Sequence, residues 1–169
     1  MKSMFKKIFL SIILAAVVIF LGMQFDRPQK NNSNNQTKHI STVLPVPDSV
    51  EAVLSIACYD CHSNNTRYPW YAEIQPVGWW LNGHILEGKK ELNFSEFASY
   101  SMRRQYRKLA EISEMVFDDQ MPLQEYLIMH RDAKLTSGQK ALLMAWIRSV
   151  RDTLIVNFPD SVKAGKRQL

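Results

Sequence analysis

The sequence predicts an all-α protein in which a small helical domain follows an N-terminal apolar helix. Apolar residues recur along much of the chain with the three- and four-residue spacing of helices. No segment shows the sustained alternation of polar and apolar residues, bounded by turn residues, that marks a strand. A chain of 169 residues without an internal repeat accommodates one domain and an appendage, and not two complete domains.

The N-terminal residues have the composition of a membrane anchor. Three lysines, Lys2, Lys6 and Lys7, precede an apolar run of sixteen residues that ends at Met23. A signal-peptide core is typically about 7–15 residues long, and a membrane-spanning helix has about 17–25. Because no Ala-x-Ala-like cleavage site and no lipoprotein cysteine follow the run, residues 1–25 are predicted to be an uncleaved signal-anchor, with a cleaved signal peptide as the alternative. The lysines would stay in the cytoplasm, which predicts one pass through the inner membrane and a domain in the periplasm.

The formal net charge of +5 comes from the N-terminal part of the chain. Residues 1–38 contain six basic residues and one acid, whereas residues 39–169 contain fifteen of each sign. A domain without net positive charge argues against nucleic-acid binding. Residues 26–38 are polar and have no aliphatic or aromatic side chain, which predicts a flexible tether. The chain is therefore divided into a tether at 26–44, a folded domain at 45–155 and a C-terminal tail at 156–169.

Three amphipathic helices are predicted within the domain. The first begins with a capping box at Asp48–Glu51, and its apolar face runs into Cys58. Residues 66–93 are rich in aromatic residues, proline and glycine, which indicates short helices joined by turns. A longer helix is predicted over residues 95–117, and a last one follows Thr136 as N-cap. The basic side chains expected off the apolar face of the longer helix are Arg103, Arg104, Arg107 and Lys108.

The two cysteines of the chain stand in the pentapeptide Cys58-Tyr59-Asp60-Cys61-His62, which has the spacing of a c-type haem attachment site. Thiols at positions i and i+3 project from one face of a helical turn, where each can add across a vinyl group of the porphyrin. The adjacent imidazole can then bind the iron from the same side. The predicted export agrees with this interpretation, because free thiols outside the cytoplasm tend to oxidise and thioethers do not. The motif therefore predicts one covalently bound haem c per chain.

Other uses of the motif fit less well. A zinc site would need two further ligands, and the spacing of His84 and His130 resembles no common zinc module. A thioredoxin-like redox pair would need a βαβ setting, which the sequence lacks. A disulfide between the two cysteines is the remaining alternative.

Met121 is the preferred candidate for the second axial ligand of the iron. It stands in a polar, non-periodic segment before Pro122, so its thioether would be presented from a loop. Met102, Met115 and Met144 lie on helical stripes and are more typical of core residues. The alternatives are His84, then His130 or an open iron face, whereas His39 lies beside the predicted tether and is the least favoured histidine.

Aromatic residues crowd the stretch that follows the motif. Tyr68, Trp70 and Trp79 are predicted to pack against the porphyrin, together with Tyr71 and Trp80. A porphyrin demands large apolar contacts, although any small core would also use such residues. Arg67 or an indole N–H is a candidate partner for a haem propionate.

Several strings of residues resemble the bacterial "haem-binding domain" family of small exported proteins. The resemblance rests on Cys-Tyr-Asp-Cys-His-Ser-Asn-Asn-Thr-Arg-Tyr-Pro-Trp-Tyr at 58–71, on Met-Pro-Leu-Gln-Glu-Tyr at 121–126 and on Ala-Lys-Leu-Thr at 133–136. It covers about residues 45–150 and implies a haem-binding protein, with little settled function beyond that.

The chain is also loosely similar to class I cytochromes c. That similarity implies a small all-α cytochrome c-like fold around one haem, in which the last helix crosses the first. It also implies that His62 is the proximal ligand, Met121 the distal ligand and Trp146 a packing residue between helices. The stretch from Trp79 to His84 has no counterpart in a minimal cytochrome c, so His84 stays an alternative distal ligand.

Together these observations predict a membrane-tethered, periplasmic, monohaem c-type cytochrome that transfers single electrons to or from a redox protein partner. The alternative is a haem-based sensor whose distal site is open or displaceable. A peroxidase would need a dedicated acid–base pair on the distal side of the haem, and the sequence shows none. The prediction is therefore an electron carrier and not an enzyme.

Overall fold

The computed structural model describes residues 2–163, and it confirms the all-α class. Eight α-helices occur within that range, and no strand is present there beyond an isolated bridge between Asn32 and Asn65. The helices are α1 (Lys2–Met23), α2 (Asp48–Ala57), α3 (Tyr59–His62), α4 (Val77–Glu91), α5 (Met102–Phe117), α6 (Gln124–Met129), α7 (Ser137–Asn157) and α8 (Pro159–Lys163). Short 3-10 helices lie at Ile40–Thr42, Trp70–Glu73, Phe94–Ser99 and Arg131–Ala133.

Helix α1 is long enough and apolar enough to cross a membrane. Its residues Ser3–Met23 have a mean hydropathy of 2.4, and its apolar window buries nothing against the rest of the described chain. An exposed apolar helix of this length fits a bilayer better than water, because about 20 apolar residues span the hydrocarbon core.

The start of α2 differs from the predicted capping box. Pro47 is the N-cap, and its carbonyl oxygen accepts hydrogen bonds from the backbone N–H groups of Val50 and Glu51 at 2.9 Å each. No side chain caps this helix, so Asp48 is a first-turn residue and not the cap. Asp48 and Glu51 instead place negative charge near the helix N-terminus, where the helix dipole favours it.

The predicted helix over residues 95–117 is two elements. A 3-10 helix, Phe94–Ser99, is capped by Asn93, and α5 begins only after Ser101, whose side chain accepts a hydrogen bond from the backbone of Arg104. Short polar side chains at these two positions satisfy backbone donors locally, which ends one helix and starts the next. The prediction for α7 is confirmed, because Thr136 is its N-cap and forms a capping box with Gln139.

The core lies where α2, α5 and α7 pack together. Trp146 of α7 is buried in this core, as the similarity to cytochromes c implied, and its indole N–H donates to the carbonyl of Pro45 at 2.8 Å. Lys108 was predicted to lie off the apolar face of α5, yet it is buried. Its ammonium group is accommodated because Glu111 and Glu91 accept from it at 2.6 and 3.5 Å.

In place of a flexible tether, the structure has residues 26–44 packed along the domain. Asn31 is the main attachment point: its amide group donates to Ser63 and Thr66, and its backbone N–H donates to the hydroxyl of Tyr68 at 2.7 Å. Ile40 is fully buried in the core. Asparagine-rich sequence reads as disordered by composition, but its amides satisfy the exposed backbone of the loop after α3 and so order both segments.

The predicted C-terminal tail is also partly helical. α7 continues to Asn157, and α8 packs against α5 and α7. Residues 164–169 of the predicted tail lie outside the described residues.

Candidate functional site

The Cys58–His62 motif spans the junction of α2 and α3. Cys58 ends α2, and its carbonyl oxygen accepts hydrogen bonds from the backbone N–H groups of Cys61 and His62 at 3.2 and 2.9 Å. This single turn brings both thiols and the imidazole to one cavity, as the spacing of the motif predicts.

Two adjoining cavities meet at this motif. The motif cavity, of about 310 Å³, lies between α3, α4 and the segment before α6, and the α5 cavity, of about 190 Å³, extends from it towards α5. Together they have the size and the mainly apolar walls of a site for a large flat ligand. The residues that line both cavities are Ala57, Cys58, His62, Glu91 and Met121.

The His62 ring is held in one orientation by backbone carbonyls. Its Nδ1 lies 2.9 Å from the carbonyl oxygen of Gly88 and 3.0 Å from that of Leu92. Both partners can only accept, so Nδ1 carries the proton and Nε2 keeps a free lone pair. Burial lowers the pKa of His62, which favours the neutral imidazole. A neutral ring with a committed Nδ1–H is the arrangement that proteins use to bind a metal through Nε2.

The two cysteines are free thiols in the structure. Burial raises the pKa of Cys58 to about 12, and the neighbouring Cys61 adds to the effect. Burial and the charge of Asp60 raise the pKa of Cys61 to about 11. Both side chains are therefore protonated near neutral pH, and neither has the low pKa of a catalytic or redox-active thiol.

Asp60, between the two cysteines, organises the polar side of the motif. Its buried carboxylate accepts from the Arg67 side chain at 3.1 and 3.3 Å and from the Tyr126 hydroxyl at 2.8 Å. The first contact raises the pKa of Arg67, and burial raises that of Tyr126. Arg67, predicted as a candidate partner for a propionate, is therefore committed to Asp60. The Tyr126 contact attaches α6, and with it the preceding Met121 segment, to the Cys58–His62 motif.

Among the candidates for the second axial ligand, Met121 lines both cavities. After α5 ends, Asp119 adopts a left-handed conformation with φ of 55°, and the chain folds back on the last turn of the helix. The carbonyl of Met115 accepts hydrogen bonds from the backbone N–H groups of Gln120 at 2.9 Å and Met121 at 3.1 Å. The thioether is thus presented from a loop, as the sequence predicts.

The histidines outside the motif occupy different positions. His84 lines the motif cavity but not the α5 cavity, and its Nδ1 donates to the carbonyl of Trp80 at 3.0 Å. His130 lines neither cavity; it stacks on Tyr126 and lies 2.6 Å from the hydroxyl of Tyr71. His39 caps the 3-10 helix that begins at Ile40. Of these three, only His84 stays an alternative ligand.

Tyr68, Trp70 and Trp79 are not among the residues that line either cavity, contrary to the prediction. The Tyr68 hydroxyl accepts from the backbone of Asn31, and the Trp79 indole donates to the carbonyl of Asp26 at 2.8 Å. Trp70 is largely exposed. The aromatic stretch packs against the chain that follows α1, a contact that local sequence could not reveal because some tens of residues separate the partners.

A family model for the haem-binding domain matches residues 18–149. The chain belongs to the haem-binding domain family. A search of the curated proteins and of the solved structures gave no match. Haem is therefore the ligand of this family member.

The residues of this haem-binding domain fit the cofactor. The paired cavities offer apolar walls from α2 and α5, an imidazole with a free Nε2, and two thiols beside it. Within residues 2–163, no cluster of three or more His, Cys, Asp or Glu side chains could hold a bare metal ion. That finding leaves the zinc alternative without a ligand set in the described chain.

Gly88 allows α4 to approach the motif closely. A Cβ built at Gly88 would lie 2.8 Å from the carbonyl oxygen of Cys61 and 3.3 Å from its Cβ. The carbonyl of the same glycine accepts from His62. Sequence reasoning missed this residue, together with Asp60 and Tyr126, because a helical glycine or a tyrosine gives no local sign of a partner distant along the chain.

Gly88→Ala is expected to destabilise the protein, because the added methyl group meets backbone atoms that cannot rotate away. Overpacking costs about 1–3 kcal/mol, which outweighs the roughly 0.5–1 kcal/mol that alanine contributes in a helix. Chemical denaturation of the holo-protein measures the free energy of unfolding. Gly83→Ala is the matched control on α4, since no atom lies within 4 Å of the position that its Cβ would take. Equal stability changes in the two variants would contradict the close-approach role.

Proposed function

We propose that this haem-binding protein is a membrane-anchored, monohaem c-type cytochrome that transfers single electrons on the periplasmic side of the inner membrane. The observation that carries the proposal is the convergence of His62, both cysteine thiols and Met121 on the motif cavity. The anchor is α1, and the domain predicted at residues 45–155 follows it, with residues 26–44 packed along that domain.

Each site residue has a role in this proposal. Cys58 and Cys61 attach the porphyrin through thioethers, and His62 provides the proximal nitrogen. Met121 provides the distal sulfur, with His84 as the alternative. Met121 is favoured because it lines both cavities together with His62, whereas His84 lines only one. His62 and Met121 would hold the iron, and the residues that line the two cavities would contact the ring.

The residues around the site favour rapid electron transfer over catalysis at the iron. Bound haem supplies a one-electron couple between Fe(III) and Fe(II). The carbonyls of Gly88 and Leu92 hold the imidazole in one orientation. Apolar side chains of α5, including Ile112 and Val116, line the α5 cavity, and contact of the ring with them would limit reorganisation. A methionine sulfur favours the reduced state and raises the potential.

The protein, expressed with haem-maturation machinery, is expected to keep its colour after acid–acetone extraction and to titrate reversibly with one electron. The extraction tests covalent attachment, and the potentiometric titration tests the carrier function. A colourless extracted protein would contradict haem c. Rapid stoichiometric binding of carbon monoxide to the reduced protein would favour the alternative, a sensor with an open or displaceable distal site.

A further inference from the structure

The residues that directly follow α1 are hydrogen-bonded to the domain. Gln24 directly follows the helix, and its side-chain amide donates to the carbonyl of Gln75 at 3.1 Å while its amide oxygen accepts from the Gln75 backbone N–H at 3.0 Å. Gln75 is almost completely buried. The oxygen of its side-chain amide accepts a hydrogen bond from the backbone N–H of Trp79 in the first turn of α4. The turn at Gln75 is therefore fixed to the end of the apolar helix.

Two further contacts strengthen this junction. The Asp26 carbonyl accepts from the Trp79 indole at 2.8 Å, and Arg27 pairs with Glu73 at 3.0 Å. Three of the four residues that follow Met23 thus bind residues between Glu73 and Trp79, where the 3-10 helix ends and α4 begins. Rotation of the domain about the junction would break all of these contacts together.

The length of α1 sets the height of this junction above the bilayer. The candidate membrane span, Ser3–Met23, has twenty-one residues, and Lys6 and Lys7 lie near its N-terminal end, where their long side chains can reach the headgroups. At a rise of about 1.5 Å per residue the span covers roughly 31 Å, which matches a hydrocarbon core about 30 Å thick. Gln24 and its partner Gln75 then lie at the boundary between hydrocarbon and headgroups.

Exposed apolar side chains cluster along the chain around this boundary. Val77 and Trp80 lie one turn apart on the same face of α4, and Ile74 precedes the buried Gln75. Aromatic residues, tryptophan above all, are enriched where a protein meets the headgroup layer. The exposed fractions are 90% for Phe25, 71% for Trp70, 37% for Ile74, 39% for Val77 and 43% for Trp80.

We propose that these five residues form a membrane seat, which lies in the headgroup region of the bilayer that α1 crosses and holds the haem domain at a fixed orientation. The inference rests on the membrane anchoring in the proposed function. Its occupant is the lipid interface itself, because the chain that emerges from the bilayer is bonded directly beside the seat.

The seat also places the haem cavity near the membrane. His84, which lines the motif cavity, follows Trp80 by one turn of α4 and stacks against it at 4.3 Å between ring centroids. Four residues of helix rise by about 6 Å, so at its Cα His84 lies at most about that much farther from the lipid than Trp80. A redox partner that is itself embedded in the membrane would meet the cavity at this height.

Site-directed spin labelling of the full-length holo-protein tests the seat. Single cysteines are introduced as Ile74→Cys and Val77→Cys, labelled with a nitroxide, and reconstituted into vesicles of phosphatidylethanolamine and phosphatidylglycerol. Power saturation with oxygen and with a water-soluble nickel complex reports the depth of each label. We expect several-fold lower nickel accessibility at both seat positions than at the control.

The control is Leu86→Cys. Leu86 is also exposed on α4, but it lies on the opposite side of the helix from Val77. Val17→Cys within α1 reports anchoring independently. Seat labels as accessible to nickel as the Leu86 label, with the Val17 label deep in the bilayer, would overturn the seat and leave the anchor intact. A Val17 label in water would overturn the anchoring and the seat together.

Discussion

Replacing Cys58 and Cys61 together with alanine is expected to release the haem completely on acid–acetone extraction. Both thiols line the motif cavity beside His62, and no other cysteine occurs in the chain. Without them only the axial bonds and apolar contacts retain the porphyrin, and acid protonates the imidazole that binds the iron. Extraction followed by haem staining of a denaturing gel measures the effect.

The two single variants serve as matched controls. Cys58→Ala and Cys61→Ala each leave one thiol, so each is expected to retain stained haem through one thioether. Their spectra should also shift slightly, because one vinyl group stays unsaturated. Full retention of haem by the double variant would contradict attachment through this motif, and would require another covalent bond in the chain.

Replacing Met121 with alanine is expected to abolish the sulfur-to-iron charge-transfer band and to lower the reduction potential. The methionine sulfur stabilises Fe(II), so its loss removes the ligand that raises the potential. We expect a decrease on the order of 0.1 V or more, within the range of about 0.8 V that axial ligands span. Optical spectroscopy and potentiometric titration of the purified protein measure the two effects.

Two controls separate Met121 from its neighbours. Met115→Ala changes a half-exposed methionine that lines only the α5 cavity, and it should leave the band intact. His84→Ala removes the alternative ligand and should also preserve the band. If the wild-type protein lacks the band, or if only His84→Ala loses it, Met121 is not the distal ligand.

The sequence predicted those features that neighbouring residues determine. The helical spacing of apolar residues predicted the all-α class, and Thr136 as N-cap predicted the start of α7. The pentapeptide predicted the cofactor that defines the family, because its two thiols and imidazole are placed by a single turn. Met121 in a loop before Pro122 followed from the same local reasoning, and its role as a ligand stays a prediction.

Features that depend on contacts between distant segments could not be predicted. Asp60 accepts a hydrogen bond from Tyr126, which lies 66 positions later in the sequence, and no residue near either of them indicates this contact. The sequence predicts that Lys108 lies on the surface, whereas in the folded domain it is buried and paired with Glu91 and Glu111. The asparagine-rich segment reads as a tether by composition, and only the loop after α3 supplies the partners that order it.

Local sequence was enough to establish the ligand, the class of the fold and an apolar helix of spanning length, because motif spacing, helical periodicity and apolar length are properties of neighbouring residues. How the site is built depends on packing. The carbonyls of Gly88 and Leu92 fix the proton on His62, and Met121 reaches the junction of two cavities, only because α4 and the segment after α5 pack against the motif. Such hydrogen-bond partners and cavity walls come from helices far apart in the chain, and they meet only when the whole domain folds.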